Sequence, residues 1–266
     1  MSTHRAPDLV LLHGWGMNAA VWGDLPVTLS QIGAGPVSPI ELPGHGDQPL
    51  PTTATDLAAW AECCLDQAPA RSVWLGWSLG GLVALSAALQ APERVAGLIL
   101  LTATPRFAQA PGWPAAMAVA TLDQFHAGLL AQPAVTLDRF LGLQVRGSDT
   151  ARETLRALRR ELAKRPTPDP VALALGLDLL RDGDLRPHLA SLACPSLWLF
   201  GSHDTLVPAA AASAIAELLP GDRGRTAIIR GAAHAPFLSH PGETLALIQD
   251  FLTALDALPG EAVKPT

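Results

Sequence analysis

Cysteine is scarce in this chain: there are three, Cys63, Cys64 and Cys194. Two are neighbours and the count is odd, so they form no disulfide framework, and no Cys/His spacing fits a metal site. The expectation is a reducing compartment, no metal and no cofactor. Long apolar runs are missing too. The opening stretch "MSTHRAPDLVLLHGWG" holds only the short run "LVLL", far below a signal-peptide core or a membrane span of about 20 residues. A cytoplasmic protein without a membrane partner is therefore expected. Nor is there an excess of positive charge: 18 Lys and Arg stand against 24 Asp and Glu, a net −6 that argues against nucleic acid as a partner. With 49% hydrophobic and 16% charged residues over 266 positions, the chain has material for a large core, which excludes disorder. Repeats and low-complexity tracts are absent, and a monomer is the expectation.

What is present is an alternation of short β-branched or leucine-rich runs with longer helical patterns, the signature of a parallel sheet built from βαβ units. Strands are expected at 8–12, 36–41, 71–76, 96–102, 195–200 and 225–230, and helices at about 18–33, 54–68, 79–91, 209–219 and 241–255. Residues 103–194 contain no convincing strand, only proline breaks and amphipathic helices. The expected organisation is an α/β core (1–104), a helical cap inserted between two sheet strands (105–190), the rest of the core (191–258) and a flexible tail (259–266).

"GWSLGG", residues 76–81, follows the apolar run "SVWL" and places three glycines around Ser78. Glycine at a strand end is explained when something must approach the backbone closely. In a parallel sheet the loops at the carboxyl ends of strands gather the functional residues. This turn matches G-x-S-x-G, in which small residues let a strained serine project its hydroxyl above the sheet. The bland alternative is an ordinary strand-to-helix turn with Ser78 as a cap.

A serine hydroxyl is a poor nucleophile at neutral pH, so it needs a base and a group to orient that base. In the order Ser, acid, His, the loop "GSHDTLVP" offers Asp204 after one strand and "GAAHAPFLSHP" offers His234 after the next. Ser78, Asp204 and His234 are the expected catalytic residues. His203 reads as an exposed turn residue, His240 as a surface residue before Pro241, and His45, in "LPGHG", as structural. Asp178, Asp182 and Asp184 are the competing acids, placed at the end of the cap. An oxyanion needs two fixed N–H donors. The amide of Leu79 lies at a helix start, and the glycines of "HGWG" leave the amide of Trp15 as the second.

"LVLLHGWGMN", "LPGHG", "GWSLGG", "GSHDTLVP" and "AAHAPFLSHP", in this order, resemble the α/β-hydrolase superfamily over nearly the whole chain. Within it, "RFLGLQ", "GSDTAR", "DLRPHL" and the tryptophans at 15 and 77 resemble the pimeloyl-acyl-carrier-protein methyl ester esterases of biotin synthesis. The resemblance implies an α/β-hydrolase fold and cleavage of a methyl ester on a carrier protein. It further implies substrate contacts at Trp15, Leu79, Phe140, Leu141, Gly142, Leu143 and Gln144, and carrier contacts at Arg139, Arg152 and Arg156. Two positions depart from the superfamily pattern: Glu41 stands where Asp is usual, and Gln48 where Ser is common. Only seven residues precede the first expected strand, so the usual N-terminal hairpin is shortened or missing.

The cap sequence offers its own test of the carrier partner. From Arg139 to Arg165 lie eight basic residues against three acidic ones, a local +5 that leaves −11 for everything else. "TARETLRALRRELAK" places Thr150 and Glu153 in capping-box spacing and ends before Pro166, so a helix of about four turns is expected. Arg152, Arg156 and Arg159 fall within about 60° of one another on it, while Leu155, Leu158 and Leu162 cluster on a different face. The stripe is either a solvated helix surface or a docking face for an acidic acyl-carrier protein, with Arg159 joining Arg139, Arg152 and Arg156. Phe107, Trp113 and Phe140 are either pocket lining or core.

Other functions stay open on these residues. A broad-specificity short-chain carboxylesterase or lipase would share every catalytic residue. Carbon–carbon bond hydrolysis uses the same fold, whereas dehalogenation needs an Asp nucleophile where this chain has Ser78. A non-catalytic ligand-binding protein would carry a dead triad.

Overall fold

The central strands are short runs of Leu, Val, Ile and Trp without polar interruption, as expected for strands covered on both faces. In the computed structural model, which describes residues 6–221 and 223–257, six strands form: β1 (Leu9–Leu12), β2 (Val37–Ile40), β3 (Ser72–Trp77), β4 (Val95–Leu101), β5 (Ser196–Gly201) and β6 (Gly224–Ile229). Every residue of β1, β3 and β5 is buried. The flanking β2 and β6 are partly exposed, because each has a neighbour on one side only. All pairings are parallel, in the order β2-β1-β3-β4-β5-β6. The chain leaves β1 in one direction for β2 and returns on the other side to β3. This reversal opens a crevice beyond the carboxyl ends of β1 and β3, where "HGWG" and "GWSLGG" lie.

The expected helix at 18–33 is two elements: a 3-10 turn (Ala19–Trp22) and α1 (Leu25–Gln31), separated by Gly23 at φ 49 and restarted by Pro26. Next come α2 (Leu57–Leu65), capped by the Asp56 carboxylate, and α3 (Leu79–Gln90), which starts at the elbow. Between β4 and β5 lie four α-helices, α4 (Val119–Ala131), α5 (Pro133–Val145), α6 (Ala151–Leu162) and α7 (Pro170–Asp182), and a 3-10 helix (Arg186–Ser191). No named strand interrupts them among the described residues, only isolated bridges at Ala108–Met117 and Ala110–Trp113. After β5 come α8 (Ala211–Leu218), the single turn α9 (Pro236–Ser239) and α10 (Pro241–Asp256). Among the described residues no strand precedes β1, and no helix is long and apolar enough to cross a membrane. The expected tail at 259–266 lies outside the described residues.

The capping box at α6 does not form. Thr150 is already in a turn (φ −107, ψ 19), with its carbonyl accepting from Glu153 and Thr154. From that conformation its hydroxyl meets Thr154 Oγ1 at 3.1 Å and Ser148 Oγ at 3.3 Å. The helix has 12 residues, just over three turns. Its buried face is Thr154, Leu158 and Glu161, with Leu155 and Leu162 only half-buried.

Tryptophan supplies the bulk of the aromatic core. Trp22, Trp77 and Phe237 pack against one another with centroids 4.9 to 6.4 Å apart. Trp77 of this cluster immediately precedes Ser78.

Candidate active site

Ser78 connects β3 to α3 at φ 56, ψ −120, a conformation that a side chain rarely adopts. Two glycines make it possible. A Cβ at Gly76 would lie 2.4 Å from the Gly80 carbonyl oxygen, and one at Gly80 would lie 2.3 Å from that of Leu12. What passes close at this turn is therefore backbone: α3 starts directly against the ends of β3 and β1. The Ser78 amide is tied to the Leu101 carbonyl at 3.0 Å, and its side chain is turned into a nearly closed space, 3% exposed for the residue.

His234 and Asp204 meet. His234 Nδ1 donates to Asp204 Oδ2 at 2.7 Å, with both side chains out of solvent. The other carboxylate oxygen accepts the amides of Leu206 (2.8 Å) and Val207 (3.0 Å), which fixes the carboxylate plane. A proton on Nδ1 leaves the lone pair on Nε2, and Nε2 is buried without a hydrogen-bond partner among the described residues. The main chain of His234 is held from three sides. Its carbonyl accepts from the Trp77 indole (2.6 Å) and the Thr102 hydroxyl (2.8 Å), and its amide donates to the Gln144 carbonyl (3.0 Å). Ser78 and His234 make no direct hydrogen bond, and the Ser78 hydroxyl has no partner among the described residues. Trp77 links them: it precedes Ser78 and its ring lies 6.0 Å from that of His234.

The first-strand loop lies against the serine: a Cβ on Gly14 would meet Ser78 Cβ at 3.3 Å. Neither the amide of Leu79, at the first position of α3, nor that of Trp15 donates a hydrogen bond to the described residues. The Trp15 side chain is fully buried, donating to the Leu173 carbonyl at 2.8 Å and standing edge-on to Phe140 at 4.7 Å. Along α5, Phe140 and Gln144 turn inward while Leu141, Gly142 and Leu143 are half-buried. Gln144 Oε1 is buried without a partner. Trp113 turns elsewhere, its indole donating to the Arg106 carbonyl beneath Arg186, in a cleft that includes none of Ser78, Asp204 and His234.

The competitors are engaged in other contacts. Asp178 and Asp182 pair with Arg181, and Asp184 pairs with Arg186 and Arg106. The Arg181 and Arg186 hydrogen bonds hold the carboxyls of Asp182 and Asp184 below their ordinary range. His203 is exposed and bonds the Gly147 carbonyl, and His240 bonds Ser239. On α6, Arg152 and Arg156 are exposed, with no ion pair among the described residues. Arg139 lies over the Phe125 ring at 5.5 Å. Arg159 differs from expectation: Asp138, one residue before the basic segment, binds it at 2.6 and 3.0 Å. The stripe thus carries two free cations rather than three.

Sequence reasoning missed Thr102, which holds the His234 carbonyl from φ 43, and His13, buried at the end of β1. The available signal was position: each is a polar residue directly after a fully apolar strand.

A model described as the alpha/beta hydrolase family matches residues 9–247. A pimeloyl-[acyl-carrier protein] methyl ester esterase of Photobacterium profundum is 42% identical over 248 residues, covering 93% of this chain and 95% of that protein. One of the same name from Edwardsiella ictaluri is 45% identical over 244 residues, covering 92% of each. Among solved structures, an esterase from Exiguobacterium antarcticum superposes with a TM-score of 0.80 at 21% identity, over 94% of this chain and 92% of that one. Sheet order, elbow and sequence similarity agree: the chain belongs to the alpha/beta hydrolase family.

Proposed function

We propose that this protein is a serine carboxylesterase that hydrolyses the methyl ester of pimeloyl-acyl-carrier protein and releases methanol. The observation that carries the chemistry is the 2.7 Å His234–Asp204 bond, which leaves a buried, uncommitted Nε2 on a ring that lies 6.0 Å from that of Trp77, the residue before Ser78. The substrate class rests on the names of relatives that match nearly end to end. In this reading the helices between β4 and β5 act as a cap, with Trp15, Leu79 and the Phe140–Gln144 stretch around the acyl chain.

Ser78 attacks the ester carbonyl as His234 Nε2 takes its proton, and Asp204 stabilises the imidazolium. The oxyanion accepts from the amides of Leu79 and Trp15, each worth about 3 kcal/mol of barrier in such sites. His234 returns the proton to the methoxide, and methanol leaves. Water then attacks the acyl-enzyme by the same route, giving the free carboxylate and restoring Ser78.

The test compares methyl pimeloyl-carrier protein with a free pimelate methyl ester, for the unaltered protein and Ser78→Ala. The expected result is a kcat/KM at least about tenfold higher for the carrier-bound ester, and a loss of about 10³-fold or more in Ser78→Ala. Equal rates on both esters would favour a broad carboxylesterase. An undiminished Ser78→Ala protein would remove the mechanism.

A further inference from the structure

Glu41, the residue that departs from the usual aspartate, lies in none of the steps above, yet its carboxylate reaches both ends of the loop that carries Trp15. Oε2 accepts the amide of Ala19 at 2.8 Å and stands 3.0 Å from His13 Nε2. His13 Nδ1 donates to the Gly14 carbonyl at 2.9 Å, and the same oxygen accepts from Met17 at 3.2 Å. The Gly14–Trp15 peptide is trans, so its N–H points away from the carbonyl that His13 and Met17 hold. Fixing Gly14 O therefore fixes the direction of the Trp15 amide, in a loop already packed on Ser78.

The site is built to receive a glutamate. A Cβ on Gly46 would fall 2.3 Å from the Glu41 carboxylate, so only glycine leaves room there. Arg165, just past α6, approaches Oε1 at 3.9 Å and also binds Asp47. Burial pushes the Glu41 carboxyl up, but His13, the Ala19 amide and Arg165 outweigh burial and hold it below its ordinary value. Nε2 of His13 also accepts the Leu42 amide at 3.1 Å. With a proton on both nitrogens the ring ties the Gly14 carbonyl to Glu41; with Nε2 bare it takes the Leu42 amide instead, and Glu41 then holds the loop through the Ala19 amide.

We propose that Glu41 is a positioning residue for the reaction: by gripping His13 and Ala19 it holds the Gly14–Trp15 peptide so that the Trp15 amide meets the developing oxyanion. The inference rests on the esterase reading and adds a role outside the triad. It predicts a loss in kcat rather than in substrate binding, because the donor acts on a charge present only in the transition state.

Two variants test it. Glu41→Gln keeps the length and removes the charge. Ala19→Pro removes only the amide that Glu41 accepts; proline suits the first position of a helical turn, and Asn18 before it is extended (φ −148, ψ 172). The expected kcat is about 10- to 100-fold lower in Glu41→Gln and a few-fold lower in Ala19→Pro, with KM within about twofold. A trifluoromethyl ketone, which adds to the serine and develops an oxyanion, loses affinity in step with kcat. The matching methyl ketone, which does not add, binds as before. Unchanged kcat in both variants, or equal losses for both ketones, overturns the proposal. Ser78→Ala separates the two readings: if it abolishes turnover while Glu41→Gln and Ala19→Pro match the unaltered protein, this inference fails and the esterase stands.

Discussion

His45 lies wholly out of solvent, 5.3 Å from the His13 ring and 6.0 Å from that of Trp60, with Nδ1 bonded to the Pro43 carbonyl. Burial, reinforced by His13, drives its pKa from 6.5 down to about 3 against the weaker pull of the Pro43 carbonyl and Glu41. The sign for stability follows. Below pH 6.5 the unfolded chain takes a proton that the folded chain refuses, so stability falls as pH falls, until the folded pKa is reached. The slope for one proton is about 1.4 kcal/mol per pH unit. Urea unfolding at pH 7, 6 and 5 is expected to show this loss, and His45→Gln a slope shallower by one proton whatever its absolute stability. Parallel slopes would mean that the folded protein accommodates a charged imidazole here.

Two glycines show how much an element depends on one missing methyl group. At Gly80 a Cβ would lie 2.3 and 2.4 Å from the backbone oxygens of Leu12 and His13, so Gly80→Ala must push α3 off the end of β1. The expected cost is about 2–3 kcal/mol, read as a drop in Tm of roughly 4–5 °C. At Gly142, inside α5, a Cβ would meet nothing within 4 Å, so Gly142→Ala is expected to stabilise by about 0.5–1 kcal/mol. Equal effects at the two sites would show that the crowding at the elbow relaxes. The elbow was legible in "GWSLGG" because a strand, its closing turn and the next helix are contiguous, so local spacing carries the geometry. The strands at 195–200 and 225–230 placed Asp204 and His234 for the same reason. What local spacing cannot carry is a contact between elements far apart in the chain. The bridge from Glu41 to His13 and Ala19, the Thr102 hydroxyl on His234 and the Asp138–Arg159 pair each join residues more than 20 positions apart. Short-range signals also fail where tertiary contacts outweigh them. Thr150 and Glu153 have capping-box spacing, but the Ser148–Thr150–Thr154 hydroxyl chain takes the side chain that would have capped α6.

At the scale of the molecule, the question is where a carrier protein would rest. Of the basic residues on and around α6, Arg159 is bound by Asp138, Arg160 and Lys164 share the buried Glu161, and Arg165 is held by Asp47. Asp138 and Asp47 lie outside the segment and lower its local +5 to +3. Arg152 and Arg156 remain exposed and unpaired among the described residues, one turn apart, on a protein whose net charge is −6. An acidic partner arriving there would be steered by two cations set in an otherwise repelling field, an effect confined to about 10 Å at 0.1 M salt. Arg152→Glu with Arg156→Glu is therefore expected to lower kcat/KM on carrier-bound ester about 10- to 100-fold at low ionic strength. The free methyl ester should be hydrolysed within about twofold of the unaltered rate. Salt supplies the second axis: activity of the unaltered protein on the carrier substrate should fall as salt rises, and that of the double variant should be nearly flat. If charge reversal leaves the carrier-bound rate and its salt dependence intact, the carrier approaches by another face, and these two arginines are only a solvated edge of α6.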